Sequence, residues 1–167
     1  MNMLIRITRL SNDRHRLEIV RDDGTRESHE LETRSALAHD LAHYAVELEA
    51  GLEESFYGRL AQGLTYDELI TTPLKTAEAM ETERIVVLIQ NAYRRGDTLG
   101  SAPGEEAQKI AAGFRAMESE LPSWLTGDCV SRVLERLRRV QGQWRATPFH
   151  QTLELEFPSG HGGAGGA

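Results

Sequence analysis

The chain is poor in cysteine: 167 residues hold one, Cys129. No disulfide can close within it, so its stability must come from a packed core, and a reducing cytoplasm is the expected compartment. Aromatic residues make up only 6% of the sequence. No apolar run approaches the roughly 18 residues of a membrane span, and Arg6 interrupts the short apolar start, which fits neither a signal peptide nor a span. Positive charge is in deficit. The net charge of −7 excludes the broad basic footprint of a nucleic-acid or anionic-membrane binder. The cluster Arg136, Arg138, Arg139 and Arg145 therefore reads as one solvated helix face. Several signatures are also missing: GxGxxG, a phosphate-binding Walker loop, GxSxG and the zinc-peptidase HExxH. No internal repeat occurs.

What remains is a patterned sequence of ordinary globular composition, 40% hydrophobic and 27% charged. Residues 3–10 alternate as a strand, with Met3, Ile5 and Ile7 on one face. Residues 15–21 form a second strand with Leu17 and Ile19 inward. Asp22-Asp23-Gly24-Thr25 carries a hairpin signal, and residues 26–32 make a third, mostly polar strand. A helix over 33–50 follows, capped by Thr33 or Ser35. Gly51 stands where a helix end needs positive φ, and Leu52 closes it. A short helix over 53–62 contains Gly58, a place for close backbone approach. Thr65 to Glu68 is a capping-box pattern opening a brief helical turn that Pro73 stops. Residues 76–95 read as a long helix with Ile85, Leu88, Ile89 and Ala92 on one face and Met80, Val86 and Val87 on another, hence central. Residues 96–104 read as a mobile loop. Helices over 105–121 (Ile110, Ala111, Phe114 and Met117 inward) and 128–144 (capped by Asp128) come next. Residues 152–157 alternate as a strand that joins the first three. The order predicts an α+β fold: an N-terminal three-stranded antiparallel meander plus a C-terminal strand, with four to five helices packed on one face. Residues 1–157 read as one domain and 158–167 as a disordered Gly-rich tail.

The chemistry concentrates in His39-Asp40-Leu41-Ala42-His43-Tyr44-Ala45-Val46-Glu47. At ~100° per helical residue, with His39 at zero, His43 falls near ~40°, Glu47 near ~80° and Asp40 near ~100°. All four share one quadrant, apart from an apolar stripe of Leu37, Leu41, Tyr44 and Leu48. His39 and His43, four apart, can reach one ion, and imidazoles with a carboxylate suit Zn²⁺, Fe²⁺ or Mn²⁺. Glu47 is a possible third ligand, and Asp40 an orienting group or a general base. One helix makes a poor cage, however, so a ligand should come from another element. Glu83 is the choice, a carboxylate among Ala79, Met80, Val86 and Val87 that must be paired, protonated or bound to a cation. The same residues can equally form a solvated face or a buried polar network, and Glu83 can pair with an arginine. His29 and His150 read as surface residues at strand ends, His161 as part of the tail, and Cys129 as buried.

His39-Asp40-x-x-His43-x-x-Val46-Glu47, followed by Gly51-Leu52 and Phe56-Tyr57-Gly58, resembles a group of small bacterial proteins with an HDxxHxxVE helix after a three-stranded start. The resemblance covers roughly residues 3–95 and implies a shared fold and polar site, with no activity to carry over. A more distant likeness of motif joins His39, Asp40 and His43 to the zinc-binding HDxxH of a ubiquinone-biosynthesis family. That likeness would put its distal ligand at Glu53 or Glu54.

Two functions follow as expectations. The first is a divalent-metal-binding protein, hydrolase- or lyase-like, acting on a small molecule, with His39, His43, Glu47 and Glu83 as ligands and Asp40 as catalytic group. The second is a non-catalytic interaction or structural module in which these residues form a buried polar network. Substrate and oligomeric state are not legible.

Overall fold

The structure is a computed structural model that describes residues 2–99, 103–117 and 120–159. Residues 160–167, most of the glycine-rich tail, lie outside the described residues. Four strands form one antiparallel sheet in the order β3-β2-β1-β4: β1 (Asn2–Arg9), β2 (Arg14–Val20), β3 (Arg26–Glu32) and β4 (Thr152–Pro158). The meander and the returning strand are those expected, and β4 runs one residue further, with Pro158 opposite Asn2. The register explains the alternation. Ile5 faces Ile19 on one side and Leu155 on the other, and Ile7 faces Leu17 and Leu153. These residues are buried in rows on one face. The other face carries Arg6, which pairs with Glu154 at 3.1 Å and lies 4.0 Å from Glu18. β3 buries no residue and is a half-solvated edge.

Among the described residues six helices follow: α1 (Thr33–Ala50), α2 (Phe56–Ala61), α3 (Tyr66–Thr71), α4 (Ala77–Leu99), α5 (Pro103–Ala116) and α6 (Gly127–Arg145). The central one is α1. Residues 41–47 are all buried, the histidine and the glutamate included, because α1 packs on β4, α4 and α6 together. Its Tyr44 hydroxyl donates to the Glu156 carbonyl at 2.9 Å, and Arg136 of α6 donates to Glu49 at 2.8 Å. One member of the arginine cluster is thus an inter-helix tie.

Here the pattern had pointed to α4 instead. Ile85, Val86, Ile89 and Ala92 are buried on α4, but Met80 and Val87 are exposed. An apolar side chain on a second face can point to solvent without breaking the helix, so apolar content alone overstated its burial. Met117, expected inward, is likewise 45% exposed. The expected loop over 96–104 is shorter: α4 continues through Gly96 to Leu99, and α5 opens at Pro103, where a proline needs no N–H partner. Residues 100–102 lie outside the described residues.

Two helix starts differ from expectation. Neither Thr33 nor Ser35 is the N-cap of α1. That residue is Glu32, with no side-chain cap, and the Thr33 hydroxyl is 3.0 Å from His15 Nδ1 instead. Thr126, not Asp128, caps α6 by accepting from the Cys129 N–H. Gly51 does end α1 at φ 66°, with the Leu52 N–H returning to the Glu47 carbonyl at 2.9 Å. The capping box of Thr65 and Glu68 is present. Gly58 has the expected close approach: a Cβ there would lie 2.3 Å from the Glu53 carbonyl oxygen.

Candidate functional site

The site lies between α1 and α4. Contacts between these helices run in opposite senses along the two segments (His39 with Gln90, His43 with Glu83), so they are antiparallel neighbours. A histidine on the buried middle of α1 cannot be left without partners, since stripping a polar group of water costs free energy. His43 has two. Its Nδ1 donates to Glu47 at 3.0 Å and its Nε2 to Glu83 at 2.8 Å. His39, half-exposed, points its Nε2 at the other Glu83 oxygen at 3.4 Å and its Nδ1 at the Gln90 amide oxygen at 3.4 Å. The two imidazole rings are 4.8 Å apart, edge to face. Ligand-type atoms of His39, His43 and Glu83 all lie within 4.8 Å of one another.

Glu47 stands behind this group. It is fully buried. One of its oxygens accepts from the Tyr57 and Gly58 N–H groups at 2.9 and 3.2 Å, and the other accepts from His43 Nδ1. The N–H groups that open α2 therefore point at a carboxylate of α1, and the absence of a Cβ at Gly58 lets the 53–55 segment fold close enough to aim them. Glu47 orients His43, so the structure places it beside the three-residue group rather than in it. Asp40 lies close enough to feel the charges of His39, His43 and Glu83, and its carboxylate has no hydrogen-bond partner among the described residues. Glu53 and Glu54, the distal positions implied by the likeness to HDxxH proteins, are exposed. Glu54 lies 3.8 Å from Arg59. The carboxylate that meets the histidines comes from α4.

Charge follows the geometry. Burial alone would lower the His43 pKa, but its bonds to Glu47 and Glu83 outweigh that and raise it to about 9. Glu83, bonded to His39 and His43, is held well below the usual carboxylate range. Its bond to His39 raises that histidine in turn, against the opposing pull of burial. Burial pushes the Glu47 carboxyl up, opposed by the His43 proton and the two backbone N–H groups. Burial also raises Asp40 to about 6, despite the nearby histidines.

Two clefts flank the group. One, of about 140 Å³, is walled by His43, Glu83, Phe56, Leu69, Leu74 and Ala79. The other, of about 270 Å³, contains His39 and Gln90. Glu83 is 57% exposed and so brings solvent to the group.

The remaining histidines divide. His29 is in mid-strand rather than at a strand end. Its Nε2 donates to Glu27 at 2.9 Å and its ring rests on Tyr66. Glu27 also accepts from the buried Arg21 and from the Tyr66 N–H at 2.7 Å. Arg21 further binds the Leu60 and Leu64 carbonyls at 2.6 and 2.7 Å. This knot fastens the hairpin to α2 and α3. His15, which nothing in the sequence marked, is buried against Trp144. His150 is exposed, and His161 lies outside the described residues. Cys129 is buried, and burial raises its thiol pKa.

Comparison with family models, with curated proteins and with solved structures returns no match. No helix among the described residues is long and apolar enough to cross a membrane.

Proposed function

We propose that the protein binds a divalent metal ion through His39, His43 and Glu83, and that Asp40 exchanges a proton with a small molecule held beside it. The observation that carries this reading is the convergence of two imidazoles and one carboxylate within 4.8 Å of one another, with the His43 ring fixed from behind by Glu47 at 3.0 Å. A ligating histidine normally gives its second N–H to a carboxylate that fixes its orientation, and Glu47 is placed and buried for that role. Two nitrogen donors and one oxygen donor suit Zn²⁺, Fe²⁺ or Mn²⁺. The motif likeness to HDxxH zinc proteins points to the same class of ion. Such an ion supplies Lewis acidity and a more acidic water, which favours hydrolysis or a lyase reaction.

The chain's own residues divide the work. Glu47 holds His43. Gln90 steadies His39. Asp40, with its pKa near 6, is tuned to accept or return a proton close to neutral pH. Phe56, Leu69 and Leu74 give the adjoining cleft its apolar wall, beside the polar Ser55, His43 and Glu83. A second reading also has an observation in its favour. Both His43 nitrogens are already satisfied by carboxylates at 2.8 and 3.0 Å, so the same residues can serve as a polar network that fixes α1 against α4.

Elemental analysis of protein purified without a histidine tag separates the two. The metal reading expects about one equivalent of Zn, Fe or Mn, lost in His43→Ala and also in Glu83→Gln, whose partly exposed position leaves folding intact. No stoichiometric metal in wild-type protein, even after incubation with each ion, would sink that reading and leave the network.

A further inference from the structure

We propose that the cleft where α1, α4 and α6 meet binds the oxyanion end, phosphate or carboxylate, of a small-molecule substrate whose reacting part lies toward His39. As a substrate assignment this rests on the metal reading above, while the anion subsite is testable without it.

The cleft has a volume of about 270 Å³. Arg34 enters it from the first turn of α1 and Arg94 from α4, while Gln141 comes from α6. Neither arginine meets a carboxylate among the described residues. Arg94 donates only to the Asn91 amide oxygen, at 2.8 Å, and Arg34 has no ion pair. In a chain of net charge −7, Arg6, Arg14, Arg21, Arg59, Arg132, Arg136 and Arg139 find acidic partners, whereas Arg16, Arg26 and Arg138 have none among the described residues; what sets Arg34 and Arg94 apart is that both line one cleft. Two guanidiniums lining one cleft with no counter-charge among the described residues give it positive potential, which favours an anion there. Guanidinium is the side chain best matched to phosphate and carboxylate oxygens.

A second observation points the same way. Tyr93, also in the cleft wall, has a buried hydroxyl with no hydrogen-bond partner among the described residues. A buried polar atom without a partner is costly, and an oxyanion in the cleft would accept a hydrogen bond from it. The two glutamine amides add donors that tolerate either kind of anion. His39 belongs both to this cleft and to the metal-ligand group, so a ligand anchored by Arg34 and Arg94 extends toward that group. The small size of the cleft and the α6 wall of Leu137 and Gln141 select a small molecule over a polymer backbone.

Calorimetric titration of inorganic phosphate and of malonate, into both metal-loaded and chelator-treated protein, tests the subsite. The expected result is saturable binding of at least one of them, one per chain. It should weaken about tenfold or more in the double variant Arg34→Ala/Arg94→Ala, the loss expected for charge-assisted hydrogen bonds. Metal content and the unfolding midpoint should stay unchanged. The preferred probe tells phosphate from carboxylate chemistry. A Tyr93→Phe variant should weaken binding less and leave the fold intact. Saturable binding that depends on the arginines in metal-free protein upholds the subsite even if no metal is found, and the metal reading then falls alone. No saturable binding of either anion, or equal affinity in the double variant, overturns the subsite whatever the metal content.

Discussion

Glu47 and Glu83 hold the same imidazole from opposite sides, yet they differ in every physical respect that sets the cost of losing them. Glu47 is fully buried and accepts from three N–H groups, while Glu83 is 57% exposed. Removing Glu47 strands the His43 proton and the N–H groups of Tyr57 and Gly58 in a dry interior. Breaking a buried pair of this kind costs about 3–5 kcal/mol. Glu83 can be replaced by water, and an exposed ion pair is worth under about 1 kcal/mol. In urea denaturation of metal-free protein, Glu47→Ala should therefore be severely destabilised and Glu83→Gln nearly native, while only the second speaks directly to ion binding. Equal losses would mean that Glu47 is not the scaffold described above.

At the scale of the helix and strand, α6 offers a clean contrast. Thr126 caps it through the Cys129 N–H at 3.1 Å, whereas Asp128 acts only through the helix dipole. Thr126→Ala should lower stability by about 1 kcal/mol, and Asp128→Ala by about 0.3–1 kcal/mol, screened by added salt. Thermal unfolding at low and high salt distinguishes them. The elements themselves were legible where one residue-to-residue period decides the answer: the strict alternation of Leu153, Leu155 and Phe157, or the glycine after Ala50. Choices between neighbouring candidates were not, because Thr126 and Asp128 are both good caps and only backbone geometry selects one. Nor was the rank of the helices. The middle of α1 is buried all round because α2, α4, α6 and the sheet surround it, a fact that lives in the packing and not in the apolar count of α4. The site was half visible. Apolar neighbours in the sequence flagged Glu83, although Glu83 is 57% exposed and Met80 and Val87 face solvent with it; the helical spacing placed Glu47 beside the histidines. That the N–H groups of Tyr57 and Gly58 would claim one Glu47 oxygen depends on a turn ten residues away. His15 escaped notice because its partners, Thr33 and Trp144, are far apart in the chain.

For the molecule as a whole, His15 sets part of the response to acid. It is buried between the sheet, the start of α1 and Trp144 of α6, and burial, with nearby Arg14, lowers its pKa from 6.5 to about 4. The unfolded chain therefore takes up this proton first as pH falls. The stability that goes with neutral His15 is complete above pH 6.5 and is lost as pH drops toward 4, on the order of 3 kcal/mol at the lower limit. Urea midpoints measured from pH 7 to 4 should fall more steeply in wild type than in His15→Gln, and parallel curves would contradict this account.

The sheet order also sets a timetable. β1 is a central strand, but its two neighbours are made at very different moments: β2 follows at once, and β4 only after some 140 further residues have left the ribosome. Throughout that interval the flank of β1 that will pair with Thr152–Pro158 is an open edge carrying Met3, Ile5 and Ile7, the kind of surface on which nascent chains join one another. Of the four described strands, the last to be synthesised is the one that shuts it.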